Sequence, residues 1–180
     1  MIMDLSGTAG DMLETIGHPH TNQDGETFTG RVRQDGTGEF TEKPIEGDTL
    51  TCSLSGDMYL VLDFHLVAGV YKGRMHRIWN TAVLTRCPSD TQKDDFGKDL
   101  VTSIEITSGV PVHVSVKRRR RILEGPDRTL IQGSYVIMIN RSYQPQVADR
   151  LTIEDKEYIV QVIDKSEWSN IWCCWSTDGN

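Results

Sequence analysis

The chain has 180 residues, of which 37% are hydrophobic and 25% charged, and its formal net charge is -7. This length suits one medium domain or two small ones, and the acidic balance argues against a general nucleic-acid binder, because such proteins usually carry a basic excess. The longest apolar-leaning run, 58–71, is too short to cross a bilayer and the first residues lack a secretory signal, so we expect no membrane span and a protein made in the cytosol.

The predicted elements begin with a short helix at 11–16, which Gly17 and Pro19 end. After it, sixteen glycines and many threonines, valines and isoleucines favour strands and turns over helices. Alternating polar and apolar residues, or short β-branched runs bounded by turn residues, mark each predicted strand. The predicted strands are 26–33, 59–67, 78–85, 101–107, 110–116, 135–140, 150–153 and 158–163, with a tight turn at 154–156 between the last two.

A polar segment at 88–98 divides the predicted strands into two groups. Its residues leave almost nothing to bury, which is typical of a linker. We therefore predict an all-β fold with a short N-terminal helix, built as one or two small β-barrels or sandwiches. The predicted domains are an N-terminal barrel at 1–90 and a C-terminal barrel with a basic hairpin at 91–180.

The two halves of the chain resemble each other weakly. Gly47–Thr51 followed by Tyr59–Asp63 is similar to Ala148–Thr152 followed by Tyr158–Val162, and an Ile-Trp pair closes each half. Each set describes a hairpin, in which a strand that starts at aspartate precedes a turn and a strand that starts at tyrosine. A tandem duplication explains this similarity. Chance is the alternative, because such patterns recur in β proteins.

Residues suited to catalysis or metal binding are few in this sequence. His18-Pro19-His20 has the most metal-like spacing, but structural zinc is almost always four-coordinate, so we predict solvated loop histidines and no metal site. Four cysteines without Cys-x-x-Cys spacing predict reduced thiols. No nucleophile elbow or phosphate-binding loop is present, and the Asp94-Asp95 pair lies in the predicted linker. We therefore expect no enzyme activity and no cofactor.

One basic run stands out against the acidic background: Lys117, Arg118, Arg119, Arg120 and Arg121. It follows the predicted strand 110–116 and precedes a Gly-Pro-Asp turn, so we predict that it lies at the end of a hairpin. Three roles remain open for this run. It is a solvated, self-repelling loop, a contact with nucleic-acid phosphates, or a salt-bridged contact with an acidic neighbouring subunit.

Three tryptophans, Trp168, Trp172 and Trp175, cluster near the C-terminus around Cys173-Cys174. In a strand, Trp172 and Cys174 share one face while Cys173 and Trp175 share the other, so such a strand is covered on both sides. Core packing is one role for these tryptophans. Burial at a subunit interface is the other, because tryptophan is favoured at interface centres.

Two stretches of the chain resemble the small β-barrel head–tail joining proteins of tailed bacteriophages, a group that includes head-completion, adaptor and stopper subunits. Met12–Arg33 is similar to their short opening helix, Gly-x-Pro turn and first strand. Pro145–Asp164 is similar to their closing hairpin, where a Pro-x-x-x-Asp start precedes a strand, a tight turn and a strand that begins with tyrosine. Members of the group are often shorter than this chain, which a second barrel or a large insertion explains.

This resemblance implies a structural subunit without an active site. It implies a homo-oligomeric ring, hexameric or dodecameric, that joins the portal or adaptor to the tail proteins and lets genomic DNA pass through its lumen. The protein then belongs to the virion, which is assembled in the host cytoplasm. In such a ring the run 117–121 lies at the lumen or between rings, and the Trp-rich C-terminus joins subunits.

Other functions remain open. A tail-tube or baseplate subunit belongs to the same structural class. An OB-like module that binds single-stranded nucleic acid places aromatic residues beside basic ones, but the tryptophans and tyrosines of this chain are not interleaved with the run 117–121. A small β-barrel enzyme is disfavoured by the missing motifs.

Overall fold

The computed structural model describes residues 17–86, 92–93, 99–100, 104–116 and 135–178. The predicted helix at 11–16, Cys87, the Asp94-Asp95 pair, most of the predicted linker and the basic run 117–121 lie outside the described residues. Within the described residues, the regular structure is almost entirely strand, and the only helical element is a short 3-10 helix, Arg141–Tyr143. The predicted all-β fold is confirmed, and it takes the form of two closed barrels.

The first barrel is formed by six strands: β1 (His18–Thr21), β2 (Thr27–Val32), β3 (Thr37–Phe40), β4 (Thr49–Cys52), β5 (Met58–Val67) and β6 (Val70–Ile78). Their order around the barrel is β1-β2-β3-β6-β5-β4, and β4 closes the barrel by pairing with β1. Neighbouring strands are antiparallel. Closure leaves this sheet without a free edge strand.

The second barrel and a small separate sheet follow: β7 (Asn80–Arg86), β8 (Gln92–Lys93), β9 (Asp99–Leu100), β10 (Ile104–Val116), β11 (Tyr135–Asn140), β12 (Arg150–Ile153), β13 (Lys156–Asp164) and β14 (Ile171–Asp178). The barrel order is β10-β11-β14-β13-β12-β7, closed by the pairing of β7 with β10. Strands β8 and β9 pair only with each other.

The long strand β10 replaces the two strands predicted at 101–107 and 110–116. The pairing of β10 with β7 shifts register between Glu105 and Thr107 and again between Thr107 and Val110. Gly109 lies inside the second shift, with φ of 69°. A bulge interrupts the alternation of side chains without ending the strand, so the sequence pattern suggested a break where the backbone continues.

Contacts divide the chain into two compact units. The first contains the described residues up to Trp79 and the short segment Trp168–Ile171, and the second contains the remainder. The sequence places a boundary near residue 90, whereas β7 is a strand of the second barrel. Only Trp79 separates β6 from β7, and no turn or linker composition marks this point in the sequence.

The core of the first barrel is aromatic. Phe40 is fully buried, and its ring meets the ring of Phe64 edge-on, with the centroids 5.6 Å apart. Glycines on neighbouring strands make room for these rings, because a Cβ at Gly30 would overlap Phe40 and a Cβ at Gly73 would overlap Phe64 and the backbone of Asp63. The buried members of this core are Phe28, Phe40, Leu50, Val61, Phe64 and Met75.

The core of the second barrel is mainly aliphatic. It brings together β-branched and leucine residues from five strands with one tyrosine and one cysteine. Tyr158 stacks edge-on against Tyr135 at 5.0 Å between ring centroids. The buried members are Ala82, Leu84, Val110, Val112, Ile137, Ile139, Leu151, Ile153, Tyr158, Val160 and Cys174.

The weak sequence repeat corresponds to a structural repeat. When the strands of each barrel are numbered separately along the chain, both barrels have the same order, 1-2-3-6-5-4. The repeated hairpins, β4–β5 and β12–β13, also share their register: Leu50 lies opposite Tyr59, and Leu151 lies opposite Tyr158. This agreement favours duplication over chance as the origin of the sequence similarity.

The turn that precedes each repeated hairpin has the same hydrogen bonds in both barrels. The amide of Asp48 donates to the carbonyl of the residue three positions earlier at 3.1 Å, and the amide of Asp149 does the same at 3.1 Å. The residue before each aspartate has a positive φ, 90° at Gly47 and 72° at Ala148. Both aspartate side chains are buried. The Pro-x-x-x-Asp pattern is therefore a turn that starts a barrel hairpin, and it occurs twice.

Candidate functional site

The structure does not place the five predicted basic residues, Lys117, Arg118, Arg119, Arg120 and Arg121, because they lie outside the described residues. Their three candidate roles stay predictions.

The three C-terminal tryptophans are each half-buried. Trp172 packs against the core of the second barrel, on the same side of β14 as the fully buried Cys174. The ammonium of Lys165 lies 3.9 Å from the ring centroid of Trp172. Trp175 is on the opposite side of the same strand, and Trp168 belongs to the first unit. For Trp172 the structure favours the core role. The interface role of Trp168 and Trp175 stays a prediction.

The histidines of the His18-Pro19-His20 motif lie in a strand, β1, and not in a loop. His18 is exposed, but His20 is only 2% exposed and its ring meets Phe40 edge-on at 5.2 Å. The Nδ1 of His20 donates to the carbonyl of His18 at 2.8 Å. The prediction of solvated histidines is therefore wrong for His20. The strand β1 has only four residues, one of them a proline, so its sequence shows no alternation that would reveal a buried face. No group of three or more potential metal ligands occurs among the described residues.

Burial of His20 makes the stability of the first barrel depend on pH. Burial lowers the pKa of His20, which outweighs the opposite effect of its hydrogen bond to the carbonyl of His18. The unfolded chain, with a histidine pKa of about 6.5, then binds more protons than the folded chain just below that pH. The contribution of the neutral His20 to the free energy of unfolding is therefore full above this pH and is lost as the pH decreases through it.

We expect the urea midpoint of the wild-type protein to drop between pH 7.5 and pH 5.5, and the drop to be smaller in His20→Gln. His18→Gln is the matched control, because the exposed His18 lies in the same strand and the hydrogen bond of His20 goes to its backbone. An equal drop in all three proteins would contradict this account.

The three described cysteines, Cys52, Cys173 and Cys174, are buried and free of disulfides. Burial raises the pKa of the Cys174 thiol to about 12, so this side chain is a protonated core residue at neutral pH. The prediction of reduced thiols holds for these three.

A row of paired charges crosses the outer surface of the first barrel. Arg31 on β2 lies opposite Glu39 on β3, which in turn lies opposite Lys72 on β6. These side chains share the outer face, because alternate residues such as Phe40 point into the core. The Glu39 carboxylate accepts from Arg31 Nε at 2.8 Å and lies 3.1 Å from Arg33 Nη2 and 3.2 Å from Lys72 Nζ.

Glu39 holds these three cations in place. Its side chain is 7% exposed, whereas those of Arg31, Arg33 and Lys72 are 41%, 54% and 42% exposed. Burial raises the pKa of Glu39, but hydrogen bonds from Arg31 and Lys72 lower it by more, so it lies below its ordinary value. Glu39 is therefore ionised at neutral pH, and the cations around it leave an excess of positive charge at the surface.

A second pair, Arg74 and Asp63, extends the row by two residues along β6 and β5. Arg74 donates from Nη2 to Asp63 at 3.1 Å and from Nε at 3.2 Å, and the hydrogen bonds from Arg74 lower the pKa of Asp63. We call the surface formed by Arg31, Arg33, Lys72 and Arg74, with the carboxylates Glu39 and Asp63, the cationic face. Its four cations outnumber its two carboxylates in a chain whose overall charge is negative.

A cleft of about 580 Å³ adjoins the cationic face in the same barrel. Arg33 belongs to both, and the cleft also contains Tyr59, Arg77 and Trp79. The guanidinium carbon of Arg77 lies 3.9 Å from the centroid of the Trp79 ring, and Arg77 forms an ion pair with Asp57. Trp79 is nonetheless 70% exposed, which is unusual for so large an apolar side chain.

Part of the cationic face has a signal in the sequence. Arg31 and Arg33, and likewise Lys72 and Arg74, are spaced two residues apart, which places both members of each pair on one face of a strand. That β2 and β6 flank β3, and so bring the two pairs together around Glu39, follows only from the barrel order.

The hairpin of β5 and β6 carries exposed apolar residues at its tip. It continues past Leu60, the last residue of β5 that pairs with β4, and turns at Ala68 and Gly69, which both have positive φ. At the tip, Leu66 is 63% exposed and Val67 is 47% exposed.

Comparison of the chain with protein-family models, with curated proteins and with solved structures gives no match. The described part of the chain contains no helix that is long and apolar enough to span a membrane.

Proposed function

We propose that this chain is a structural protein of a tailed-bacteriophage virion, a ring-forming connector that joins the portal to the tail. The observation that carries the proposal is the hairpin of β12 and β13. The stretch Pro145–Asp164, which resembles the closing hairpin of the head–tail joining proteins, has the strand, tight turn and second strand that this resemblance implies.

The length of the chain is consistent with the proposal. Members of the group are often shorter, and a second barrel is one explanation. The structure has two barrels of the same strand order, each with the Pro-x-x-x-Asp turn and hairpin. The chain thus corresponds to two copies of one small barrel within a single subunit.

Contacts between subunits require exposed surface that is favourable to bury. Because the barrels are closed, most of their strands have no free edge, and subunits join chiefly through side chains and hairpins. The tip of the β5–β6 hairpin offers such surface in Leu66 and Val67. We propose that it packs against a neighbouring copy in a hexameric or dodecameric ring, with portal or adaptor and tail proteins above and below and genomic DNA in the lumen.

The test is the mass and shape of the purified protein, measured by light scattering and negative-stain electron microscopy. We expect closed rings, and we expect Leu66→Lys/Val67→Lys to shift the population towards smaller species by roughly tenfold in the assembly constant, equivalent to about 1.4 kcal/mol. Leu54→Lys is the matched control, because Leu54 is 72% exposed on a different turn of the same barrel.

The outcomes separate the related hypotheses. Stacked rings that grow into tubes would favour a tail-tube subunit. A protein that is monomeric at every concentration would contradict self-assembly into rings. Loss of rings on replacing residues 117–121 by alanine would identify the basic run as an assembly contact.

A further inference from the structure

The cationic face and the Trp79 cleft lie side by side on the first barrel, and Arg33 belongs to both. We infer that together they bind single-stranded nucleic acid, with phosphates on the cationic face and a base stacked on Trp79. This inference goes beyond the connector proposal and does not depend on it, because it concerns residues of one barrel and no subunit contact.

The arrangement of the cations fits a phosphate backbone. Arg31 and Lys72 stand two strands apart, roughly 10 Å, and residues two apart on a strand are separated by about 7 Å. Glu39 occupies the centre of this array and binds the cations from the barrel side. Their half-exposed outer surfaces are therefore spaced to suit a chain of separate negative charges better than a single convergent anion.

The choice of arginine supports the same ligand. Three of the four cations, Arg31, Arg33 and Arg74, are arginines, and a guanidinium carries five N–H donors, more than one carboxylate partner occupies. Their ion pairs with Glu39 and Asp63 order these long side chains before a ligand arrives. Less side-chain entropy is then lost on binding than for unpaired lysines.

Trp79 distinguishes single-stranded nucleic acid from an acidic peptide or a duplex. Its indole is 70% exposed, and Arg77 lies over the ring. Bases stack on exposed aromatic rings in proteins that bind single strands, whereas paired bases in a duplex are not available for such stacking. An acidic peptide has no need of the ring. The acidic balance of the chain disfavours nucleic-acid contacts over most of its surface.

The experiment measures binding of a labelled oligothymidylate to the full chain by fluorescence anisotropy at several salt concentrations. We expect Arg33→Gln/Lys72→Gln to weaken binding about tenfold or more at low salt. If each of four cations contacts one phosphate, the slope of log K against log salt is about -3, and the double variant reduces its magnitude by about 1.4. The double variant keeps Arg31 on Glu39, so the buried carboxylate retains a partner.

Two further arms isolate the site. Lys43→Gln/Lys156→Gln removes the same charge from two exposed positions outside the cationic face and is expected to bind as the wild type does. Trp79→Ala is expected to weaken oligothymidylate binding about tenfold, and Trp79→Phe is expected to keep an affinity closer to that of the wild type. Bound oligothymidylate is also expected to quench the tryptophan fluorescence of the wild type, and Trp79→Ala to remove part of that quenching.

The basic run 117–121 is removed as a competing site by repeating the series in a chain with those five residues replaced by alanine. The effects of Arg33→Gln/Lys72→Gln and of Trp79→Ala persist there if the inference is right. Equal affinities of the two double variants would overturn it, as would equal affinity for a duplex of the same length with no effect of Trp79→Ala. Should Arg33→Gln/Lys72→Gln fail to fold, Arg74→Gln, at 68% exposure, provides the same comparison.

Discussion

Replacing Asp149 by asparagine is expected to destabilise the second barrel by about 2 kcal/mol, because it removes the charge of a buried carboxylate that accepts hydrogen bonds from the half-buried Arg86. The Asp149 side chain is 2% exposed and accepts from Arg86 Nε and Nη2, both at 2.8 Å. It also accepts from the amide of Gln146 at 2.7 Å, which ties down the turn before β12. The hydrogen bonds from Arg86 to Asp149 raise the pKa of the guanidinium.

The duplicated fold supplies a matched control for this substitution. Asp48 occupies the same place in the first barrel, but its carboxylate accepts from the amides of Asn22 at 3.1 Å and Gln23 at 3.0 Å and has no cation among these partners. Asp48→Asn changes the same atoms and is expected to cost only about 1 kcal/mol, the value of one neutral hydrogen bond.

Urea denaturation followed by circular dichroism measures both losses, and amide exchange in β12 and β13 assigns the larger one to the second barrel. A further variant, Asp149→Leu/Arg86→Met, is expected to recover part of the stability, because it removes the unpaired charge together with its partner. Equal losses for Asp48→Asn and Asp149→Asn would show that the charge of Arg86 contributes nothing.

Phe40→Ala is expected to destabilise the first barrel by about 4 kcal/mol, within the range found for large-to-small changes in protein cores. Phe40 is completely buried, and its ring contacts Phe64 and His20. Gly30 and Gly38 lie against it without side chains that could move into the space, so the cavity remains largely open.

Phe40→Leu, which keeps most of the volume, is expected to cost about 1.5 kcal/mol. Leu54→Ala is the control for loss of apolar surface without a cavity, because Leu54 is 72% exposed, and its effect is expected to stay within about 0.5 kcal/mol. Thermal and urea denaturation give the comparison. A loss for Phe40→Ala no larger than for Phe40→Leu would mean that the core collapses around the missing ring.

The sequence predicted strands both from clear side-chain alternation, as at 26–33, and from a longer apolar run with little alternation, as at 59–67. The stretch 26–33 became β2, 59–67 became β5, and 150–163 became the hairpin of β12 and β13. The missed strand β6 is nine residues long and its burial does not alternate regularly, whereas the missed strands β1 and β3 are four residues long. A strand of that length shows too few alternations to identify, and it is stabilised by its partners and not by its own pattern.

The candidate site was harder to predict than the fold. The residues of the cationic face come from four strands, and their sequence positions extend from Arg31 to Arg74. A contiguous basic run is visible in the sequence, whereas cations gathered by strand pairing are not. Glu39 is the one charged residue of the strand β3. Nothing in the sequence indicates that three cations surround it.

What the sequence determined by itself was the β class, because the period-two alternation of strands is a local pattern, and it indicated an internal repeat that the common strand order of the two barrels then supported. What only the tertiary structure decided was which strands are neighbours. Barrel closure buries His20 and assembles the cationic face beside Trp79. It also pairs Asp149 with Arg86, whereas Asp48 accepts from side-chain amides. These are contacts between strands distant in the chain, and their pairing is set by the packing of the whole barrel core.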